Sequence, residues 1–131
     1  QMEYNILAQE AADVFSRAQA AGVGVIARVP LMRGLLSGRF NESTTFGDGD
    51  RRRQILAPEK LPAMVTRVRQ ITDLAAKYGL SLLDVAMRFC VSHPHAAVTI
   101  PGIRTPEQAR TNAAACEPLP ASLLADLRAL A

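Results

Sequence analysis

Apolar and polar positions follow two rhythms along this chain, one near a period of two and one near 3.6. Gln1 to Leu7 alternates weakly and carries Tyr4 and Ile6, which predicts a short strand. From Gln9 to Ala20 the apolar residues Ala12, Val14, Phe15 and Ala18 recur at helical spacing, and Gly22 closes the segment. Val23-Gly24-Val25-Ile26-Ala27 is a continuous run of small and β-branched residues, the pattern of a parallel strand covered on both faces. After Pro30, Leu31 to Gly38 reads as a compact glycine-punctuated turn with leucines available for burial. Arg39 to Pro62 lacks a period and predicts a long surface loop with a short helix near Gln54.

Helical spacing returns from Leu61 to Tyr78 through Met64, Val65, Val68, Ile71, Leu74 and Ala75, until Gly79 stops it. Ser81 with Asp84 predicts a capping box for a second helix running to Val91. Ser92-His93-Pro94-His95 then turns into the apolar strand Ala97-Val98-Thr99-Ile100, which Pro101-Gly102 ends. Thr105 is placed to cap the next helix, to about Ala115; Pro106 suits its first position and Glu107 favours its positive end. A helix start after a strand offers unpaired N–H groups, and with Arg104 beside them the place suits a phosphate. Pro118 and Pro120 break the chain before a last amphipathic helix from Ala121 to Leu130.

The order of elements gives two crossover units of a three-stranded parallel sheet. So small a sheet leaves two open edges and bare apolar faces. The chain is therefore expected to be part of something larger, either self-associating or retaining a missing half.

Composition narrows the class. The 131 residues favour one compact unit, and 49% hydrophobic with 21% charged residues is ordinary for a soluble globular protein. No run reaches the ~18 apolar residues of a membrane span, and the first residues lack the basic head and apolar block of a signal peptide. The cytoplasm is the expected location. Cys90 and Cys116 are too few for a disulfide framework or a four-thiolate zinc site, so both are expected to be buried free thiols. Cys90, His93 and His95 offer no fixed ligand geometry and no fourth donor, so no metal site is expected. A net charge of +3 permits an anionic partner, and a phosphorylated small molecule accounts for it as well as nucleic acid does. Arg51-Arg52-Arg53 reads as a solvated loop face.

Three stretches together resemble one family, the aldo-keto reductases, in its C-terminal portion. Gln1-Met2-Glu3-Tyr4-Asn5-Ile6-Leu7 is like the family's sixth barrel strand. Gly24 through Pro30, Leu31, Met32, Arg33, Gly34, Leu35, Leu36, Ser37 and Gly38 is like its seventh strand and following loop. Ile100-Pro101-Gly102-Ile103-Arg104-Thr105-Pro106-Glu107-Gln108 through Asn112 is like its eighth strand and phosphate loop. Their order and separation match across residues 1–131, read as one incomplete domain.

The resemblance implies the α/β fold class, as the C-terminal part of a (β/α)8 TIM barrel with three parallel strands and flanking helices. It implies an oxidoreductase that moves a hydride from NADPH, in preference to NADH, to a small aldehyde or ketone. Gln1 would hydrogen-bond the nicotinamide carboxamide, its amide carrying both a donor and an acceptor. Arg28 falls where many members place an aromatic ring against the nicotinamide, and a planar guanidinium can also stack. Pro30, Leu31, Arg33, Gly34 and Ser37 would pass along the pyrophosphate. Gly102, Ile103 and Arg104 would hold the adenosine 2′-phosphate, with Gln108 and Asn112 on phosphate and adenine; Thr111 stands where many relatives have an acidic residue. A guanidinium beside the ribose favours NADP over NAD.

The family's catalytic Asp, Tyr, Lys and His lie in the N-terminal half, so none has a counterpart here, and Tyr4 is not that tyrosine. The chain alone is expected to be inactive. Two other readings stand beside this one. One is a non-catalytic nucleotide-binding fragment. The other is a helix-turn-helix DNA-binding domain, drawn from Lys77 to Arg88, against which the second helix is nearly all apolar.

Overall fold

The computed structural model describes residues 1–130. Three strands, β1 (Met2–Glu3), β2 (Val25–Arg28) and β3 (Ala96–Ile100), form one parallel sheet in the order β1-β2-β3. Between β1 and β2 runs α1 (Ala12–Ala20). A kinked 3₁₀ turn over Met32–Ser37, α2 (Arg52–Ile55), α3 (Leu61–Ala76) and α4 (Leu82–Val91) separate β2 from β3. Two helices close the chain, α5 (Pro106–Ala114) and α6 (Ala121–Ala129).

The first strand is shorter than its alternation predicts, because Asn5 pairs back with Ala8 through two backbone hydrogen bonds of 3.0 and 3.1 Å and turns the chain out of the sheet. The predicted capping box is present: the Ser81 hydroxyl accepts the Asp84 N–H at 3.1 Å, and the Ser81 N–H donates to the Asp84 carboxylate at 3.4 Å. Gly38 ends the turn with φ 74°, a left-handed conformation that a side chain would strain.

The two faces of the sheet differ. Val25 and Ala27 point into a core with Tyr4, Phe15, Leu35, Leu36, Phe89, Leu123 and Leu127. There the Tyr4 ring lies 5.1 Å from Phe15 and 5.3 Å from Phe89. Period-two alternation puts Glu3, Ile26, Arg28, Val98 and Ile100 on the other face. Val98 and Ile100 stay 48% and 43% exposed there. This corrects the expectation of a second strand covered on both faces. The β-branched run is buried on its helix side only, and Val23, outside the strand, is exposed.

A register shift between Val25 and Ile26 sets Val25 opposite Ala96 and Ile26 opposite Val98, so β3 carries one extra residue there. The helix-turn-helix-like pair turns inward, because Val85, Ala86, Met87, Phe89 and Cys90 of α4 are all buried. Cys90 is buried as expected; Cys116 is exposed, the opposite of the expectation, since the chain has left α5 before it reaches the Pro118 break. Among the described residues no helix is long and apolar enough to cross a membrane.

Candidate cofactor-binding site

Parallel strands send their following loops to one end of the sheet, and most of the predicted site residues lie on the loops after β2 and β3, with Arg28 at the end of β2, Gln108 and Asn112 in α5, and Gln1 before β1. The loop after β2 is held in an uncommon conformation. Val29, Met32 and Arg33 take φ of 61°, 43° and 55°, and Gly34 takes 96°. A left-handed L-residue costs roughly 1–2 kcal/mol, and a β-branched one is an outlier. Asn5, fully buried, donates from Nδ2 to the Val29 carbonyl at 3.1 Å and accepts the Leu7 N–H on Oδ1 at 3.0 Å. Farther along, the Ser37 hydroxyl donates to the Gly34 carbonyl at 2.6 Å, and Pro30 is buried with Leu31 half-buried beside it.

Charge gathers where β1 and β2 end. Glu3 and Arg28 are register partners, and the Glu3 carboxylate lies 3.7 Å from the Arg28 guanidinium and 3.6 Å from that of Arg33. One carboxylate shared by two guanidiniums leaves a positive surplus at this end of the sheet. The Arg33 Nε is buried and meets no protein acceptor.

The loop after β3 carries the rest. Thr105 caps α5 by accepting the Gln108 N–H at 3.1 Å, and Pro106 and Glu107 occupy its first turn as predicted. The Gln108 side-chain carbonyl in turn accepts the Arg104 N–H at 2.7 Å, leaving the Gln108 amide nitrogen and the exposed Arg104 side chain to face outward. Ile103 is 55% exposed. Asn112, one α5 turn beyond Gln108, has a buried Nδ2 with no partner. A Cβ built on Gly102 would meet no atom within 4 Å, and the residue needs no positive φ. Nothing in the fold therefore requires glycine at that position.

The long loop between these two is ordered, which its sequence does not announce. Arg52 forks onto Asp50 with Nε at 3.0 Å from both oxygens, and its guanidinium lies 4.9 Å from the Phe46 ring centre and 5.8 Å from that of Phe40. The hydrogen bonds from Arg52 hold the Asp50 carboxyl at about 2, with smaller help from the Arg104 charge. Phe40 in turn lies 3.5 Å from the place where a Gly34 Cβ would stand. A chain of contacts thus runs from Gly34 through Phe40 and Arg52 to Asp50 and the field of Arg104. The arginine triplet is corrected at one position: Arg52 is half-buried, while Arg51 and Arg53 are exposed as expected, Arg53 pairing with the exposed Asp48.

Gln1 stands apart, exposed and immediately before β1. Sequence reasoning missed Asn5 and Phe40, because each acts through a tertiary neighbour, and Asp50, whose local signal was its place two residues before Arg52. His93 is packed edge-on against Tyr4 and Phe15, and no group of three or more His, Cys, Asp or Glu able to hold a metal occurs among the described residues. Tyr4 is a core residue, and that burial pushes its hydroxyl up to about 12.

Three parallel strands, helices on one face and a bare opposite face define a portion of a parallel α/β barrel. The aldo/keto reductase family matches residues 1–131, and the chain belongs to that family. It is 30% identical over 127 residues to a Schizosaccharomyces pombe protein named "Putative voltage-gated potassium channel subunit beta", covering 89% of this chain and 36% of that protein. It superposes on the glycerol dehydrogenase AKR11B4 from Gluconobacter oxydans with a TM-score of 0.85 at 22% identity, covering 98% of this chain and 40% of that one. Against the holo form of the aldo-keto reductase AKR11C1 from Bacillus halodurans the TM-score is 0.63 at 27% identity, over 99% and 41% of the two chains. The chain thus spans 36% of the curated relative and 40% to 41% of these solved relatives.

Proposed function

We propose that this chain is the cofactor-binding, C-terminal portion of an NADPH-dependent reductase that converts aldehydes or ketones to alcohols. One observation carries the reading. Of the three buried side-chain atoms without a protein partner among the described residues, two, Arg33 Nε and Asn112 Nδ2, lie in the loop after β2 and in α5, the segments that the family resemblance assigns to the pyrophosphate and the adenosine; the third is His95 Nδ1. Buried polar groups in folded proteins are nearly always hydrogen-bonded, so two orphans at these positions fit a ligand with acceptors. Open space beside Gly102 and the exposed guanidinium of Arg104 fit it as well.

When bound, NADPH supplies the hydride. The residues of this chain hold and orient the dinucleotide. Arg104, Ile103 and Gly102 receive the 2′-phosphate, Gln108 and Asn112 the adenosine, and Pro30 to Ser37 the pyrophosphate. Gln1 and Arg28 would hold the nicotinamide, and the surplus charge of Arg28 and Arg33 over Glu3 would favour an anion. The proton donor and its tuning residues come from strands outside this chain, which also cover the face bearing Val98 and Ile100; the assembled protein works in the cytoplasm.

The test is NADPH binding by the full chain, followed by fluorescence, then aldehyde-dependent NADPH oxidation after co-expression with the complementary barrel portion. Binding with turnover in the complex is expected. Binding without turnover in a well-folded complex would favour a non-catalytic nucleotide-binding role, and no binding at all would remove the reading.

A further inference from the structure

The loop after β2 holds three non-glycine residues, Val29, Met32 and Arg33, at positive φ within five positions. Such a conformation persists only where its surroundings over-determine it. Most of the hydrogen bonds within the loop are its own: Met32 N–H to the Val29 carbonyl at 3.1 Å, and Gly34 and Leu36 N–H to the Leu31 carbonyl at 2.9 and 3.1 Å. Sequence-local bonds of this kind form in many turns and do not select a left-handed valine. The side-chain bond that reaches Val29 from a distant part of the chain comes from Asn5, 24 residues earlier.

Every polar group of Asn5 is committed. Its N–H and carbonyl pair with Ala8, its Oδ1 accepts the Leu7 N–H, and its Nδ2 donates to the Val29 carbonyl and lies 3.7 Å from the Met32 sulfur. The side chain is fully buried, so a lost partner cannot be replaced by bulk water. Asn5 therefore ties the turn that ends β1 to the first residue after β2.

We infer that Asn5 is a positioning residue for the cofactor loop: by clamping the Val29 carbonyl it holds the loop in the conformation, left-handed at Val29, Met32, Arg33 and Gly34, that presents its backbone to the dinucleotide. The inference rests on the cofactor reading above and adds a residue that touches no ligand. Asparagine is required on chemical grounds. Aspartate would set a carboxylate against the Val29 carbonyl, and alanine would leave that carbonyl with one donor fewer.

The experiment uses the full chain with Asn5→Ala, Asn5→Asp and the double variant Asn5→Ala/Val29→Gly. Glycine takes positive φ without steric cost, so it supplies from the backbone what the clamp supplies from outside. Amide exchange at Met32, Gly34 and Leu36 should quicken in both single variants, with NADPH affinity falling on the order of tenfold, the size of one buried hydrogen bond. In the double variant both should return toward wild type, with part of the lost stability recovered because glycine removes the strain at position 29. A role in packing alone would not be rescued by glycine at position 29. Unchanged exchange in Asn5→Ala, or no recovery in the double variant, would overturn the clamp. A wild-type chain that fails to bind NADPH would overturn the cofactor reading and the positioning role with it, a result told apart from clamp failure by the exchange data. Should Asn5→Ala not fold, recovery of a folded chain by Val29→Gly is itself the expected result, and its absence counts against the clamp.

Discussion

The Gln108 side-chain carbonyl accepts the backbone N–H of Arg104 at 2.7 Å, closing the loop after β3 onto the first turn of α5. The bond holds the backbone of Arg104 to the first turn of α5 while its guanidinium remains exposed. Arg104→Ala should therefore remove a charge-assisted contact to a 2′-phosphate, worth about 1.5–3 kcal/mol, without disturbing the cap. We expect NADPH to lose roughly tenfold to a hundredfold in affinity by calorimetry and NADH to lose little. Equal losses for both would take the 2′-phosphate away from this residue.

Gly102 gives a prediction of the opposite kind. Its φ is open to any residue and an added Cβ would touch no atom within 4 Å, so the fold does not select glycine there. Gly102→Ala should leave the melting temperature unchanged or raise it slightly, since alanine lowers the entropy of the unfolded chain by roughly 0.4–1 kcal/mol equivalent. If the open space is kept for the cofactor, the same variant weakens NADPH binding. A variant that is as stable as wild type and binds equally well would show the space to be incidental.

A third expectation concerns acid. His93 is buried between Tyr4 and Phe15, and burial, then the charges of His95 and Arg128, hold its pKa below the ordinary 6.5. Its Nδ1 accepts the His95 N–H at 3.2 Å, a bond open only to the unprotonated nitrogen. The unfolded chain therefore takes up the proton first as pH falls, and stability drops from about pH 6.5 downward until the folded ring titrates too. Thermal melts from pH 8 to pH 5 should show this decline, and His93→Phe should flatten it while keeping the aromatic packing. An identical slope in the variant would assign the acid sensitivity elsewhere.

Much of this could be read from the chain because it is written locally. The Ser81 and Asp84 box, the Thr105 cap with Pro106 behind it, and the β-branched run of β2 each need only their neighbours in sequence. The misreadings share a physical cause. β1 was expected to run to Leu7, but the Asn5 and Ala8 pairing, which no periodicity encodes, ends it at Glu3. Periodicity gave Val25 and Ile26 equal standing, whereas burial depends on what lies across the sheet, and here only one side has helices. Arg52 looked solvated in a run of three arginines because its partners, Phe40 and Phe46, are 12 and six positions away. The strain at Val29 was likewise invisible, since a left-handed valine contradicts its own propensity and exists through Asn5.

The bare face supplies the last prediction. Ile26 and Val98 are register partners, as are Arg28 and Ile100, so Ile26, Val98 and Ile100 form an apolar patch beside Arg28, with Val98 and Ile100 at 48% and 43% exposure. β3 is also an edge strand, with unpaired backbone groups along its outer side. Apolar area and an open edge together drive association, either with further strands of the barrel or with a second copy of the chain. Light scattering of the chain alone should find a species larger than the monomer, dissociating on dilution. Val98→Lys should shift that equilibrium to monomer, because a lysine in the paired face would lose its hydration. Its effect on the isolated fold should be small, within about 0.5 kcal/mol, since a half-exposed surface position contributes little to the core. A wild-type chain that stays monomeric at high concentration, or a Val98→Lys chain that associates as before, would mean that this face needs no cover.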